Sequence, residues 1–144
     1  MAAFLSQIES SLLARLQQIR TANGYSTEAG AVTSSGFVVD ATGEFLNGTV
    51  AVDSLIVEPT ESEASNHTTH INGEVTFTVY GLTKSATTVR LYEMLEDVRR
   101  AVKSADFHTA VVKVELLKSR FGPGESNEYF AVAIPLRITY HQTP

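Results

Sequence analysis

The stretch from Ser85 to Ala105, SATTVRLYEMLEDVRRAVKSA, decides the fold. Val89, Leu91, Leu95, Val98 and Val102 recur mostly at steps of three and four, which places them on one face of an α-helix. Arg90, Glu93, Glu96, Asp97, Arg99, Arg100 and Lys103 take the rest of its surface. Glu96 precedes Arg100 by four residues, the favourable order for a helical ion pair. Ser85 is placed as an N-cap, its hydroxyl accepting from a first-turn amide. Arg99, Arg100 and Lys103 crowd the last turns, where positive charge suits the helix dipole. Tyr92 and Met94 fall off the main stripe, which leaves them for a second contact. A stripe of this kind buries a helix, and the flanking segments supply the surface it needs.

Both flanks alternate with the period of a strand. From Gly73 to Leu82, Val75, Phe77 and Val79 face one way and Thr76, Thr78 and Tyr80 the other, a half-buried strand. After the helix, Thr109 to Leu117 puts Val112, Val114 and Leu116 on one face. Phe121-Gly122-Pro123-Gly124-Glu125-Ser126-Asn127 signals a turn. Glu128 to His141 is then the longest strand, with Phe130, Val132, Ile134, Leu136, Ile138 and Tyr140 on one side. Its other side holds Tyr129, Ala131, Ala133, Pro135, Arg137 and Thr139. Pro135 lacks an amide to donate, which predicts an edge or a bulge there. The last two strands are expected to pair antiparallel through the Gly-Pro-Gly turn. The strand–helix–strand unit is a right-handed crossover if its strands run parallel.

Towards the N-terminus, Ser6 to Arg20 reads as a second helix. Leu5, Ile8, Leu12, Leu16 and Ile19 form its stripe, Ser6-Gln7-Ile8-Glu9 has capping-box spacing, and Asn23-Gly24 stops it. Tyr25 to Gly48 is punctuated by Gly30, Gly36, Gly43 and Gly48, with a short strand at Gly36–Asp40 and turns at Ala41-Thr42-Gly43 and Asn47-Gly48. Val50 to Val57 is a firmer strand, ended by Pro59. Glu58 to His70 is too polar to bury and reads as an exposed acidic loop or the distal end of a hairpin. The expected fold is one α+β domain over residues 1–144: a mixed, mainly antiparallel sheet with two main helices on one face.

Composition narrows the function. The chain has no cysteine, so disulfides and thiolate metal sites are excluded. No segment approaches the ~20 apolar residues of a membrane-spanning helix, and Met1-Ala2-Ala3-Phe4-Leu5 lacks the basic start of a signal peptide. The net charge of −5 is uneven: eight acids and no lysine or arginine lie between Thr21 and Thr83, whereas both flanks are net basic. A uniformly acidic middle is a poor grip for nucleic acid. No serine stands in a nucleophile-elbow pattern. His67 and His70 lie three apart beside Glu61 and Glu63, short of a structured third ligand for zinc. The chemical groups do not converge on a catalytic set, so no enzymatic activity, catalytic residue, cofactor or metal is assigned.

Four segments, in their order and spacing, carry a resemblance. They are Gly24-Tyr25-Ser26-Thr27-Glu28-Ala29-Gly30-Ala31-Val32 after a first helix, Leu55-Ile56-Val57-Glu58 entering an acidic loop, Val75 to Tyr80 leading to the long helix, and the ending Ala133-Ile134-Pro135-Leu136-Arg137-Ile138-Thr139-Tyr140. Over nearly its whole length the chain resembles the tail terminator proteins of long-tailed bacteriophages and the minor tail proteins related to them. It departs from them in having no arginine around Gly36-Phe37 and in its His67/His70 segment. The resemblance implies a virion protein, assembled in the host cytoplasm and located at the head-proximal end of the tail. There it would form a hexameric ring that ends tube polymerisation and docks the head-side connector or stopper protein, while genomic DNA passes through the lumen without specific binding.

Contacts around such a ring are head-to-tail, so one patch must match a different patch on the neighbour. Glu58, Glu61 and Glu63 are the candidates on one side and Arg99, Arg100, Lys113, Lys118 and Arg120 on the other. A tail tube or head–tail connector subunit is the alternative within this class. A small α+β enzyme or ligand-binding domain, with convergent polar groups in a pocket, is the alternative outside it.

Overall fold

The computed structural model describes residues 4–36, 52–66, 71–84, 87–104, 106–123 and 129–142, without the side chains of residues 65, 66 and 71. Helix α1 spans Phe4–Leu16. Strand β1 (Thr33–Ser35) is followed by β2 (Ser54–Asn66) and β3 (Ile71–Thr83), then helix α2 (Thr88–Val102). Strands β4 (Val111–Leu116), β5 (Arg120–Pro123) and β6 (Phe130–Gln142) complete the fold. The six strands form one sheet in the order β1-β2-β3-β6-β4, and β5 extends the β4 side of β6. β1 pairs parallel with β2 and every other pairing is antiparallel. β3 and β4 therefore run the same way on either side of β6, joined by α2. This is the expected α+β architecture, a mixed and mostly antiparallel sheet.

One core lies between the sheet and both helices. Ile8, Leu12, Leu16 and Ile19 come from the N-terminal helix and the turn after it, Leu91, Met94, Leu95 and Val98 from α2. Leu55, Val57, Val75, Phe77 and Val79 join from β2 and β3, and Val132, Ile134, Leu136 and Ile138 from β6. The alternation of β6 thus places its apolar set on the helical face. A second, smaller cluster (Tyr80, Leu82, Tyr129, Ala131, Ala133) buries part of the opposite face, so β3 is covered on both sides at this end instead of being half-buried throughout.

Several local expectations are corrected. α1 begins at Phe4, so Ser6–Glu9 lie inside its first turns and not at a capping boundary. The chain after Leu16 tightens through Gln18 and Ile19 amides bonding three residues back, and Gly24, at φ 87°, closes the following turn. α2 begins at Thr88; Ser85 lies outside the described residues. Its buried face is Leu91, Met94, Leu95, Asp97, Val98, Ala101 and Val102, whereas Val89 is 62% exposed. The true stripe is rotated towards Met94 because a carboxylate, Asp97, faces inward. Arg100 does not pair with Glu96; it donates to the Gly24 carbonyl at 3.1 Å and stacks 4.8 Å from the Tyr25 ring centre.

The sheet brings its own corrections. β2 does not stop at Pro59 but shifts register between Pro59 and Glu61 and runs on, antiparallel to β3, to Asn66. A bulge accommodates the missing proline amide, and the Thr60 hydroxyl bonds the Thr76 carbonyl at 2.8 Å across it. Of the two readings of the polar segment, the distal end of a hairpin holds as far as Asn66 and the loop does not, while His67 and His70 lie outside the described residues. In β4 a register shift between Val111 and Lys113 throws Val112 outward, 65% exposed, and leaves Val111 and Val114 against the core. Pro135 sits inside the sheet. Its carbonyl accepts from Leu117, so its nitrogen points at the gap where β4 gives way to β5, and no ladder bond is lost. Residues 37–40 of the expected strand at 36–40 and the turns at 41–43, 47–48 and 124–127 lie outside the described residues.

One buried polar contact ties the N-terminal third to this core. Asp97, 1% exposed, accepts from the amides of Ser26 (3.0 Å) and Thr27 (2.9 Å) and from the Thr27 hydroxyl (2.7 Å). Next to it, Gly30 donates to the Ile19 carbonyl at 2.9 Å, and a Cβ there would stand 2.5 Å from the Leu16 carbonyl oxygen. Asp97→Ala should therefore cost about 3 kcal/mol in urea unfolding, since it strands the buried amide and hydroxyl of Thr27 and the part-buried amide of Ser26, against about 1 kcal/mol for Thr27→Val. Gly30→Ala is expected to cost about 2–3 kcal/mol through overlap with backbone that has no room to retreat, read as a lowered melting temperature.

Candidate assembly interface

The sheet has two open edges among the described residues. β1 covers β2 only along Leu55–Val57, so nothing described lies beyond the arm from Pro59 to Asn66. At the other side β4 has β6 on one flank and no described strand on the other. Open edges invite pairing unless charge or irregularity blunts them. Here each carries a bulge, and the charges differ: Glu61 and Glu63 are exposed on the β2 arm, while Lys113 is exposed on β4, with Lys118 and Arg120 exposed on the continuation towards β5.

Register fixes which face each charge occupies. Glu63, Glu74, Thr139 and Lys113 form one row straight across the sheet, and Glu61, Thr76, Arg137 and Glu115 form the next. Both rows lie on the face away from the helices, because the intervening positions, Val75 and Ile138, belong to the core. Arg137 stands between Glu74 (3.8 Å) and Glu115 (3.7 Å), and Lys113 reaches Glu115 at 3.1 Å. These pairs are exposed and add little to stability.

The eight residues singled out in the sequence do not form one patch. Glu61 and Glu63 share the β2 arm, and Lys113, Lys118 and Arg120 share the opposite edge. Arg99 is exposed on α2 and Arg100 is engaged with Gly24 and Tyr25. Glu58 departs most from expectation: it is 5% exposed, beside Thr78 on the face of the second cluster, and is not a surface charge. Its neighbourhood includes Tyr80, whose phenol is held above its ordinary value by burial first and by the Glu58 carboxylate second, with Arg120 opposing. Glu58 and Arg120 are thus brought together around Tyr80, which the sequence did not indicate. Leu116, Phe121 and Val112 are exposed apolar residues on the basic edge, and Phe121 meets Tyr92 of α2 edge-to-face at 5.5 Å. Tyr92 therefore does serve a second contact, as its place off the stripe suggests.

A cleft of about 310 Å³ opens on the helical side of the β2 arm, floored by Val75 and Phe77 and rimmed by Leu5, Glu9, Pro59 and Ser62. Among the described residues no group of three or more metal-ligating side chains converges, and no helix is long and apolar enough to cross a membrane.

No protein-family model matches the sequence, and no curated protein matches it. The fold is similar to that of a chain in a structure described as the virion of a native gene transfer agent particle. The two share 15% identity and a TM-score of 0.66, over 92% of this chain and 96% of that one.

Tyr80 gives a check on the Glu58 environment. A phenol whose folded pKa is raised contributes stability that is complete below its unfolded value, ordinarily 10.0, and is lost as pH rises through the folded value. Tyr80→Phe should therefore move alkaline unfolding, followed by circular dichroism between about pH 9 and 12, to higher pH than in the parent chain.

Proposed function

We propose that this chain is a structural virion protein of a phage-like particle, a tail terminator that assembles as a ring of identical subunits at the head-proximal end of the tail tube. The observation that carries the reading is the fold likeness to a virion chain along nearly the full length of both. The four segments that resemble tail terminators add to it, since they fall on the turn after α1, on β2, on β3 and on β6, the elements that build the sheet.

The charge arrangement fits such a ring. A head-to-tail contact needs two different surfaces on each subunit, and acid and base stand on opposite edges of one sheet. Carboxylates facing a lumen would keep passing DNA from adhering, because like charges within a Debye length repel. In this reading the protein works by position and contact, without catalysis or cofactor. Its partners are its own copies, the tube subunit below and the head-side connector or stopper above. A tube or connector subunit is the second reading, supported by the same fold likeness.

Electron microscopy of particles made from a genome with an early stop codon in this gene tests the proposal. Overlong tails beside unjoined, DNA-filled heads are the expected outcome. Normal tails on normal particles would overturn it, and a complete absence of tails would point to the tube role.

A further inference from the structure

The cleft beside the β2 arm and the apolar side chain on the opposite edge are linked by register. Pro59, Phe77, Leu136 and Leu116 form a single row across four strands, on the helical face of the sheet. At the β2 end of that row Pro59 and Phe77 line the cleft. At the β4 end Leu116 points to the same face but overhangs the edge, 42% exposed. Three residues away along β3, β6 and β4, the row Glu63–Glu74–Thr139–Lys113 runs on the other face, with an acid at the β2 end and a base at the β4 end. β2 and β4 run antiparallel to each other within the sheet, since each of the three pairings between them reverses direction.

We infer that the occupant of the cleft is Leu116 of a second copy of this chain. The β4 edge of one subunit lies along the β2 arm of the next. Leu116 enters the cleft over Phe77 on the helical side, while Lys113 meets Glu63 on the other. The same displacement serves both faces: cleft and leucine end one row, acid and base end the row three residues away, and Glu115, which ends the row of Glu61, is held by Lys113 and Arg137. A wrong-way approach, β2 arm to β2 arm, would bring Glu61 and Glu63 against their own counterparts and leave the cleft unfilled. The charges therefore select the head-to-tail sense, and the leucine supplies the buried apolar area. Lys113 is available for this, since its exposed bond to Glu115 is of the kind that contributes little. The inference rests on the ring reading and specifies its subunit contact.

The absence of cysteine makes the contact directly testable. In the full-length chain, Pro59→Cys places a thiol on the cleft rim and Leu116→Cys one on the opposite edge of the same row; both positions are exposed. Within one subunit they are about three strand spacings apart, ~14 Å, too far for a disulfide. The concentrated double variant, oxidised mildly, should give a ladder of covalent trimers and higher species on a non-reducing gel. Either single variant should stop at dimers. Lys113→Glu in the double-cysteine background should reduce the ladder at least tenfold, and adding Glu63→Lys should restore it. Sedimentation velocity on the parent chain separates the ways to fail. Oligomers without the ladder would overturn this contact and leave the ring reading standing. A monomer at every concentration, with no ladder, would overturn the contact and remove self-assembly of the free chain as support for the ring. Crosslinking of the Pro59→Cys variant in particles to a different virion protein would assign the cleft to that protein and overturn the inference.

Discussion

The Asp97 carboxylate is the constraint on which the rest of the arrangement depends. It is buried in the helix that covers the sheet, and a buried carboxylate must be matched by donors or it destabilises the fold. Ser26 and Thr27 supply those donors from the turn that follows α1. That bond set fixes where the chain goes next. Gly30 then bonds Ile19 so closely that no side chain fits between them. β1 follows and pairs parallel with β2. Arg100, one helical turn beyond Asp97, holds the same turn from outside through Gly24 and Tyr25. One polar contact thus sets the N-terminal helix, the first strand and the central helix in register with each other. Hydrophobic burial alone would let such pieces slide, because it has no direction.

The same residue explains what the sequence disclosed and what it hid. Two-residue alternation in β3 and β6 is unambiguous: Val75, Phe77, Val79 and the Phe130–Tyr140 set face the helices as expected. The three-and-four spacing of α2 is just as clear as to the existence of a helix. Its phase is not, because counting apolar residues cannot anticipate that an aspartate turns inward and draws Met94 into the core while Val89 stays out. Bulges hide in a similar way. An extra residue at Val112 throws that side chain out of the face expected for it beside Val114 and Leu116 and turns Val111 inward instead, and the shift after Pro59 lets a strand pass a proline that ordinarily ends one. Both depend on partner strands distant in sequence, so no local pattern records them. The polar run after Glu58 leaves loop and hairpin end open for another reason. An exposed edge arm at the rim of the core buries little and needs no apolar alternation.

The candidate interface was legible as charge and illegible as geometry. The lysine- and arginine-free span from Thr21 to Thr83 contributes Glu61 and Glu63 to one edge, and the basic C-terminal part contributes Lys113, Lys118 and Arg120 to the other. Chain order becomes spatial opposition because β6 inserts between β3 and β4 and pushes β4 outward. Glu58 shows the limit of charge counting. Three residues before Glu61, it lies on the near side of the bulge beside Tyr80, 5% exposed, so it belongs to a buried cluster and adds little to the surface charge of the edge.

Edge strands normally carry charge to keep other chains away, and here that device has a second consequence. Like charges on both edges would block pairing in every sense. Opposite charges on the two edges block only the symmetric approaches and leave the head-to-tail one open. A head-to-tail contact can close into a ring or grow without limit, depending on the rotation it imposes. The strength of the contact does not decide between these outcomes; the angle at which one sheet edge meets the next does. In the proposed contact that angle would depend on the two bulges beside Pro59 and Val112, since a bulge re-aims the edge that carries it.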